Sequence, residues 1–314
     1  MTDTLPEASA GLGAPAGGDG QGTDEARSLL SDAWSELRRN PLFWVSAALI
    51  VLFGLMAIVP QLFTNTDPAF AQLSDARKPP SEEHWFGTDN QGYDIYARTI
   101  YGARASILVG VLTTTTTLVV GSLVGIISAF YGGVLDAVLS RLGEVFFAIP
   151  LLLGGILFLY TFPSDVDTAY PVVIMKVVFA ISVLGWPSIA RLMRGSVLQV
   201  KPNDYVSAAR ALGASPARVI FSHILPNAIA PVIVVSMINL GSYIAVEATL
   251  SFLGIGLKPP AISWGLAISD ASALGLIRTA PHMLLFPSIF LSLTVLAFIM
   301  LGDAVRDALD PKLR

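Results

Sequence analysis

Residues 105–130 read ASILVGVLTTTTTLVVGSLVGIISAF, and no Asp, Glu, Lys or Arg interrupts the chain between Arg104 and Asp136. A helix needs about 20 apolar residues, each advancing about 1.5 Å, to cross a hydrocarbon core about 30 Å thick. This stretch is long enough, and similar charge-free gaps run from Arg39 to Asp67, Glu144 to Asp165, Arg218 to Glu247 and Arg278 to Asp303. A sixth candidate, Pro171 to Ala190, holds one charge, Lys176. Together they predict helices near 42–63, 105–130, 138–161, 171–190, 228–250 and 283–302. In lipid every backbone polar group must find an internal partner, which helices provide. A barrel would show alternating segments of about ten residues, and none is present. The expected fold class is therefore all-α: a polytopic membrane protein with six transmembrane helices.

Composition agrees. Of 314 residues, 54% are hydrophobic and 13% are charged, against roughly 25% charged in soluble domains. The net charge of −4 offers no basic field for nucleic acid. Cysteine is absent and the three histidines, His84, His223 and His282, are far apart. This excludes disulfide frameworks, iron–sulfur clusters and Cys/His zinc sites.

Lys and Arg set the orientation. With six spans and the N-terminus inside, twelve fall in inner segments (Arg27, Arg38, Arg39, Arg141, Arg191, Arg194, Lys201, Arg210, Arg218, Arg306, Lys312, Arg314). Six fall outside (Arg77, Lys78, Arg98, Arg104, Lys258, Arg278). The positive-inside rule then puts both termini in the cytoplasm.

The chain divides into three parts. Residues 1–26 are rich in small and polar types without Lys or Arg, so 1–27 reads as a disordered cytoplasmic tail rather than a secretory signal. Residues 28–103 comprise an amphipathic segment (28–40), the first span and an outer stretch. That stretch becomes an amphipathic helix from about Asp94, with Ile95, Ala97, Ile100 and Tyr101 as its apolar members. Residues 104–314 form a core of five spans.

Within that core the inner loop 201–227, KPNDYVSAARALGASPARVIFSHILPN, is heavily punctuated. Asn203 is placed to cap a helix over 204–212. Gly213 follows at the left-handed C-cap position. Ser215 and Pro216 supply the N-cap and first position of a second helix, which ends at Leu225-Pro226 as the next span begins. Small residues Ala208, Ala209, Ala211 and Ala214 permit close approach by another protein surface. A helical hairpin lying on the membrane is the alternative.

This loop resembles the cytoplasmic loop of binding-protein-dependent ABC importer permeases. Their motif reads Glu-Ala-Ala, three residues, Gly, nine residues, Ile, one residue, Leu-Pro. Here Ser207-Ala208-Ala209, Gly213, His223 and Leu225-Pro226 stand at matching spacing, with Ser207 in place of Glu and His223 in place of Ile. Further stretches resemble the dipeptide/oligopeptide group, with nickel permeases as near relatives. They are His84-Trp85-Phe86-Gly87-Thr88-Asp89 with Gly92, Asp94, Arg98, Gly102, Arg104 and Ser106, then Glu247 to Gly254 with Pro259-Pro260 and Ser263-Trp264-Gly265. Gly302-Asp303, Arg306-Asp307 and Leu309-Asp310-Pro311 complete the series. The order is most similar to the second, C-type, inner-membrane permease of the peptide system.

The resemblance implies a type I ABC importer permease fold and alternating access. It implies a paralogous permease, two cytoplasmic ATPases carrying ATP and Mg, and an extracellular or periplasmic substrate-binding protein as partners, all around a chain set in membrane lipid. Ser207, Ala208, Ala209, Gly213, His223, Leu225 and Pro226 are then the ATPase-coupling residues. No cofactor, metal or catalytic residue is expected on this chain, and the substrate path is not legible. A P-loop needs Gly immediately before Lys. The residues preceding the five lysines are Arg77, Met175, Val200, Leu257 and Pro311.

Two other function classes compete with this one. An ion-coupled transporter would bring acids to the midplane, and the deep spans hold none. An intramembrane enzyme would cluster ionisable groups at one depth. A nickel or metal-chelate importer remains the alternative within the family. Of the individual residues, Asp89, Asn90, Gly92 and Asp94 read as an Asx-turn opening a helix rather than a calcium loop. Thr113 to Thr117 read as packing residues that bond carbonyls one turn back. Gly121 and Gly125 form a small-xxx-small pair for close helix contact, with the partner permease as one candidate. Lys176 is placed to snorkel outward, and a structural role is expected for it and for Glu247.

Overall fold

The structure, a computed structural model, describes residues 29–165 and 167–309. The expected tail 1–27 and the terminal Asp310-Pro311 lie outside the described residues. Helix α1 (Leu29–Arg39) leads into α2 (Pro41–Ile58). Asn40 caps α2 by accepting a bond from Leu42 N, and Pro41 occupies the first turn, where its missing N–H costs nothing. Two short 3₁₀ turns (Pro60–Leu62, Leu73–Asp75) precede α3 (Ile95–Tyr131). At 37 residues, α3 is about 55 Å long, so it extends well beyond a bilayer core. Asp94 caps it, its carboxylate accepting from Ala97 N at 2.7 Å. Ile95, Ala97 and Ile100 are buried, as the amphipathic pattern from Asp94 requires.

The third expected span, 138–161, is not one helix. It is a bent pair, α4 (Gly133–Phe147) and α5 (Leu151–Thr161), inclined by 81°. Pro150 is the cause: its ring disfavours helical backbone at Ile149, and it brings no N–H to continue the ladder. Then follow α6 (Tyr170–Val200), α7 (Asp204–Ala211), α8 (Pro216–Arg218), a π-turn (Val219–Ile224) and α9 (Leu225–Ala228). The chain closes with α10 (Ala230–Phe252), α11 (Trp264–Ala271), α12 (Leu274–Thr279) and α13 (His282–Leu309). Five helices (α2, α3, α6, α10, α13) are long and apolar enough to cross a membrane, and the bent pair makes a sixth crossing if it counts as one span.

Helix α3 sits at the centre, against α2, α4, α6, α10 and α11, and its broadest contact is with α6. A Cβ on Gly121 would stand 2.7 Å from Ile189 Cβ, and one on Gly125 would stand 2.5 Å from Ala190 O. The small-xxx-small pair therefore serves contact with α6 of the same chain. Gly125→Ala should lower the abundance of the folded protein severalfold, because backbone of α6 cannot yield as a flexible side chain would. Fluorescence-detected gel filtration of tagged membranes would measure this, and parental abundance would overturn it. The threonine run is mixed: Thr115 and Thr117 hydroxyls donate to Val111 O and Thr114 O of their own helix, whereas the buried Thr113 and Thr114 hydroxyls find no hydrogen-bond partner.

At the end of the bundle opposite the 201–229 loop, the distal end, residues 59–94 fold back over α3 and α13. Asp89 Oδ1 accepts from Gln91 N and Tyr93 N at 2.8 and 3.0 Å, which is the expected Asx-turn. Phe86 stacks on Phe286 with ring centroids 3.9 Å apart. Lys176 Nζ donates to Pro163 O at 2.7 Å, consistent with a side chain reaching toward the end of its helix.

Candidate functional site

The loop after α6 is a built structure. Its buried side chains Val206, Val219, Ile224 and Ala228 join Ile126, Ala129, Ile189, Met193 and Val197 in one apolar cluster. Lys201 fixes the start by donating from Nζ to Ala129 O and Phe130 O at 2.9 and 2.8 Å. These carbonyls end α3, where unpaired acceptors and the negative end of the helix dipole favour a cation. Arg210 lies 5.1 Å above the Phe130 ring.

Between α7 and α8 the backbone closes as a Schellman turn. Gly213 N bonds Arg210 O and Ala214 N bonds Ala209 O, both at 3.0 Å, and Gly213 has φ +82°. This is the left-handed position at which glycine carries no steric cost. Ser215 caps the next turn by accepting from Arg218 N, with Pro216 at its first position. Asn203 occupies the N-cap of α7, but its side chain makes no capping bond; its Nδ2 donates to Tyr205 Oη instead.

The second helix does not stop at Leu225-Pro226 as expected. It widens into the π-turn, with Leu225 N bonding Ile220 O, and runs on through Pro226 to Ala228. Pro226 has no N–H for Ser222 O, and its ring crowds that carbonyl. A wider turn accommodates both.

Of the seven expected coupling residues, Ser207, Ala208, Gly213 and Pro226 are exposed, His223 and Leu225 are half-buried and Ala209 is buried. Exposed apolar side chains stand among them: Leu212 is 89% exposed, Phe221 62% and Tyr205 43%. Leu212 precedes the Gly213 turn and tops the loop. An apolar crown on a segment outside every candidate span is a surface that water does not favour and that marks a contact with a protein or with the membrane.

Sequence reasoning missed what steadies this end. Arg194 of α6 grips Asp136 of α4 through two bonds of 2.6 Å, and Ser128 of α3 donates to the same carboxylate. Beside this grip lies a cavity of about 360 Å³ between α3, α4 and α6, with Trp186, Arg191 and Glu144 in its wall. Neither Lys201 nor Arg194 carries a local signal, since their partners lie 58 to 72 residues away.

Comparison with known proteins places this architecture. Residues 121–314 match the family described as "Binding-protein-dependent transport system inner membrane component", and residues 28–80 match the N-terminal TM domain of oligopeptide transport permease C. The chain is 41% identical over 287 residues to the oligopeptide transport system permease protein OppC of Bacillus subtilis (strain 168), covering 91% of each. It is 36% identical to the dipeptide transport system permease protein DppC of that organism, over 91% of this chain and 87% of the relative. It is 34% identical to the glutathione transport system permease protein GsiD of Escherichia coli O157:H7, over 93% of each. In fold it is similar to a chain of the inward-facing MetNI methionine ABC transporter, with a TM-score of 0.51 at 18% identity, covering 66% of this chain and 96% of that one. With its apolar helices and these matches over most of its length, the chain belongs to the binding-protein-dependent transport system inner membrane components and is a multi-pass inner-membrane permease of that family.

Proposed function

We propose that this chain is the C-type permease subunit of an ATP-driven importer of di- or oligopeptides. It pairs with a paralogous permease and takes substrate from an external binding protein. The ATP and Mg belong to two cytoplasmic ATPases. In this reading the 201–227 loop is the coupling element. ATP-driven closure of the ATPases shifts it, and the spans alternate between outward- and inward-facing forms. The observation that carries the reading is the loop itself: two short helices set by a glycine turn, anchored on α3 and α6, with Leu212, Phe221 and Tyr205 presented outward. The peptide assignment draws on the relatives, whose names specify oligopeptide, dipeptide and glutathione transport.

Coupling requires the loop to face the cytoplasm, and so do both termini. A reporter fused after Arg314 should read cytoplasmic and one inserted within 68–82 should read external. The basis is the twelve-to-six excess of Lys and Arg on the loop side. A C-terminus mapped to the outer face would sink the orientation and, with it, the coupling role.

A further inference from the structure

At the distal end a cavity of about 530 Å³ opens between the last turn of α5, the first turns of α6 and the turn that leaves α10. Leu159, Phe162, Val173, Val177 and Ile255 make its wall largely apolar, and Lys258 is the one charged residue in it among the described residues. The turn is built to place that lysine. Gly254, at φ +74°, closes α10 as its N–H bonds Ser251 O, and Ile255 N and Gly256 N both return to Leu250 O. Leu257 is fully buried, its N–H donating to Ser251 Oγ at 3.0 Å, and Ala261 N bonds Lys258 O at 3.0 Å. The backbone of Lys258 is therefore fixed on both sides. Its half-buried side chain pairs with no carboxylate and donates to no acceptor among the described residues.

The other charges nearby are committed elsewhere or face water. Lys176 Nζ donates to Pro163 O, and Asp165 and Asp167 are exposed and stand outside the wall. An apolar cavity of this size with a few placed polar groups is the usual form of a small-molecule site. An ammonium without a partner, set in a partly desolvated wall, favours an anion, and Tyr160 and Ser164 add hydroxyls beside it. The carboxyl end of a peptide offers that combination, an anion next to one side chain. The volume suits it better than the paired acyl chains of a phospholipid. We propose that this cavity binds the free carboxylate end of a peptide in transit. Lys258 Nζ donates to the carboxylate, and the wall around Leu159, Phe162 and Ile255 takes the last side chain. At the distal end the site meets the peptide on the side from which an external binding protein delivers it. The identity of the ligand rests on the import reading above, so one arm of the test reads occupancy and the other reads import.

The chain has no cysteine, so Ser164→Cys puts a single thiol of this chain in the wall. In the complete transporter in lipid nanodiscs, a water-soluble maleimide should label that thiol, and millimolar trialanine should slow the labelling at least about fivefold. Trialanine amide, which lacks the carboxylate, should not protect. Adding Lys258→Gln should abolish protection by the free acid, whereas Lys258→Arg should keep it, because either cation can hold a carboxylate. In proteoliposomes with saturating binding protein, Lys258→Gln should lower trialanine uptake about tenfold, the loss expected for one charged hydrogen bond. Equal protection by the amide, protection that survives Lys258→Gln, or no protection at all overturns the proposal. A thiol that is blocked in lipid and reacts only in detergent does so too, since acyl chains then fill the cavity. Protection in the expected pattern without uptake by the parent would uphold the site and count against the import reading alone.

Discussion

Gly213→Val should leave the protein at normal abundance in the membrane, weaken co-purification of the ATPases and reduce transport at least about tenfold, the effect of some 1.4 kcal/mol on coupling. The reasoning is conformational. At φ +82° a Cβ on Gly213 would meet nothing within 4 Å, so no neighbour is displaced. The penalty comes from the backbone, about 1–2 kcal/mol for a left-handed residue and more for a β-branched one. Valine relieves it by leaving that conformation, which breaks the paired bonds Gly213 N to Arg210 O and Ala214 N to Ala209 O. Leu212, the most exposed apolar residue of the crown, is then aimed elsewhere. Gly213→Asn separates this account from simple crowding. Asparagine tolerates the left-handed region, so it should retain most transport although it is as large as valine. Ser207→Ala should be mild, since Ser207 is exposed and offers no charge to lose. If Gly213→Val transports like the parent with its ATPases bound, the loop is a surface hairpin and the coupling assignment is wrong.

How much of this was legible follows from the kind of signal each feature carries. The spans are legible because the cost of charge in lipid writes them as gaps between charged residues: 105–130, 171–190 and 283–302 fall within single long helices, 228–250 does so apart from its first two residues, and 42–63 apart from its last five. The α4–α5 break was missed because counting charges ignores Pro150, which punctuates the chain without being polar. The Gly213 turn and the Ser215-Pro216 start are local backbone chemistry and could be placed to the residue. The π-turn could not, because Pro226 signals a break and nothing in the local spacing separates a stop from a turn widened around the proline. Gly121 and Gly125 announced a close contact without naming the other helix. The ties through Lys201 and Arg194 depend on how helices rotate against one another, which no spacing within one helix encodes.

Asp136→Ala should lower the melting temperature of the purified transporter and abolish most transport, and the double variant Asp136→Leu/Arg194→Met should recover part of both. Helix α4 has no buried residue, and Val134, Leu135, Val138, Leu142 and Val145 all point away from the bundle. Its hydrogen-bonded tie to the bundle is the Asp136 carboxylate, held by Arg194 and Ser128, beside an edge contact of Phe146 with Trp186 and the Arg191 guanidinium over the Phe147 ring. Gly132 and Gly133, both at positive φ, turn the chain out of α3 without adding grip. Removing one partner of a buried pair costs about 3–5 kcal/mol, because the other is left unpaired. The Arg194 and Asp136 side chains are 37% and 21% exposed, so solvent screens the stranded guanidinium and about 2 kcal/mol is the better expectation. Replacing both partners with apolar residues of similar size removes the stranded charge, and such replacements are often neutral. The single variant should therefore melt lower than the double, and the difference measures the stranding rather than the worth of the pair. Equal melting of the two would mean that Arg194 is not stranded and that α4 is held by something other than this grip.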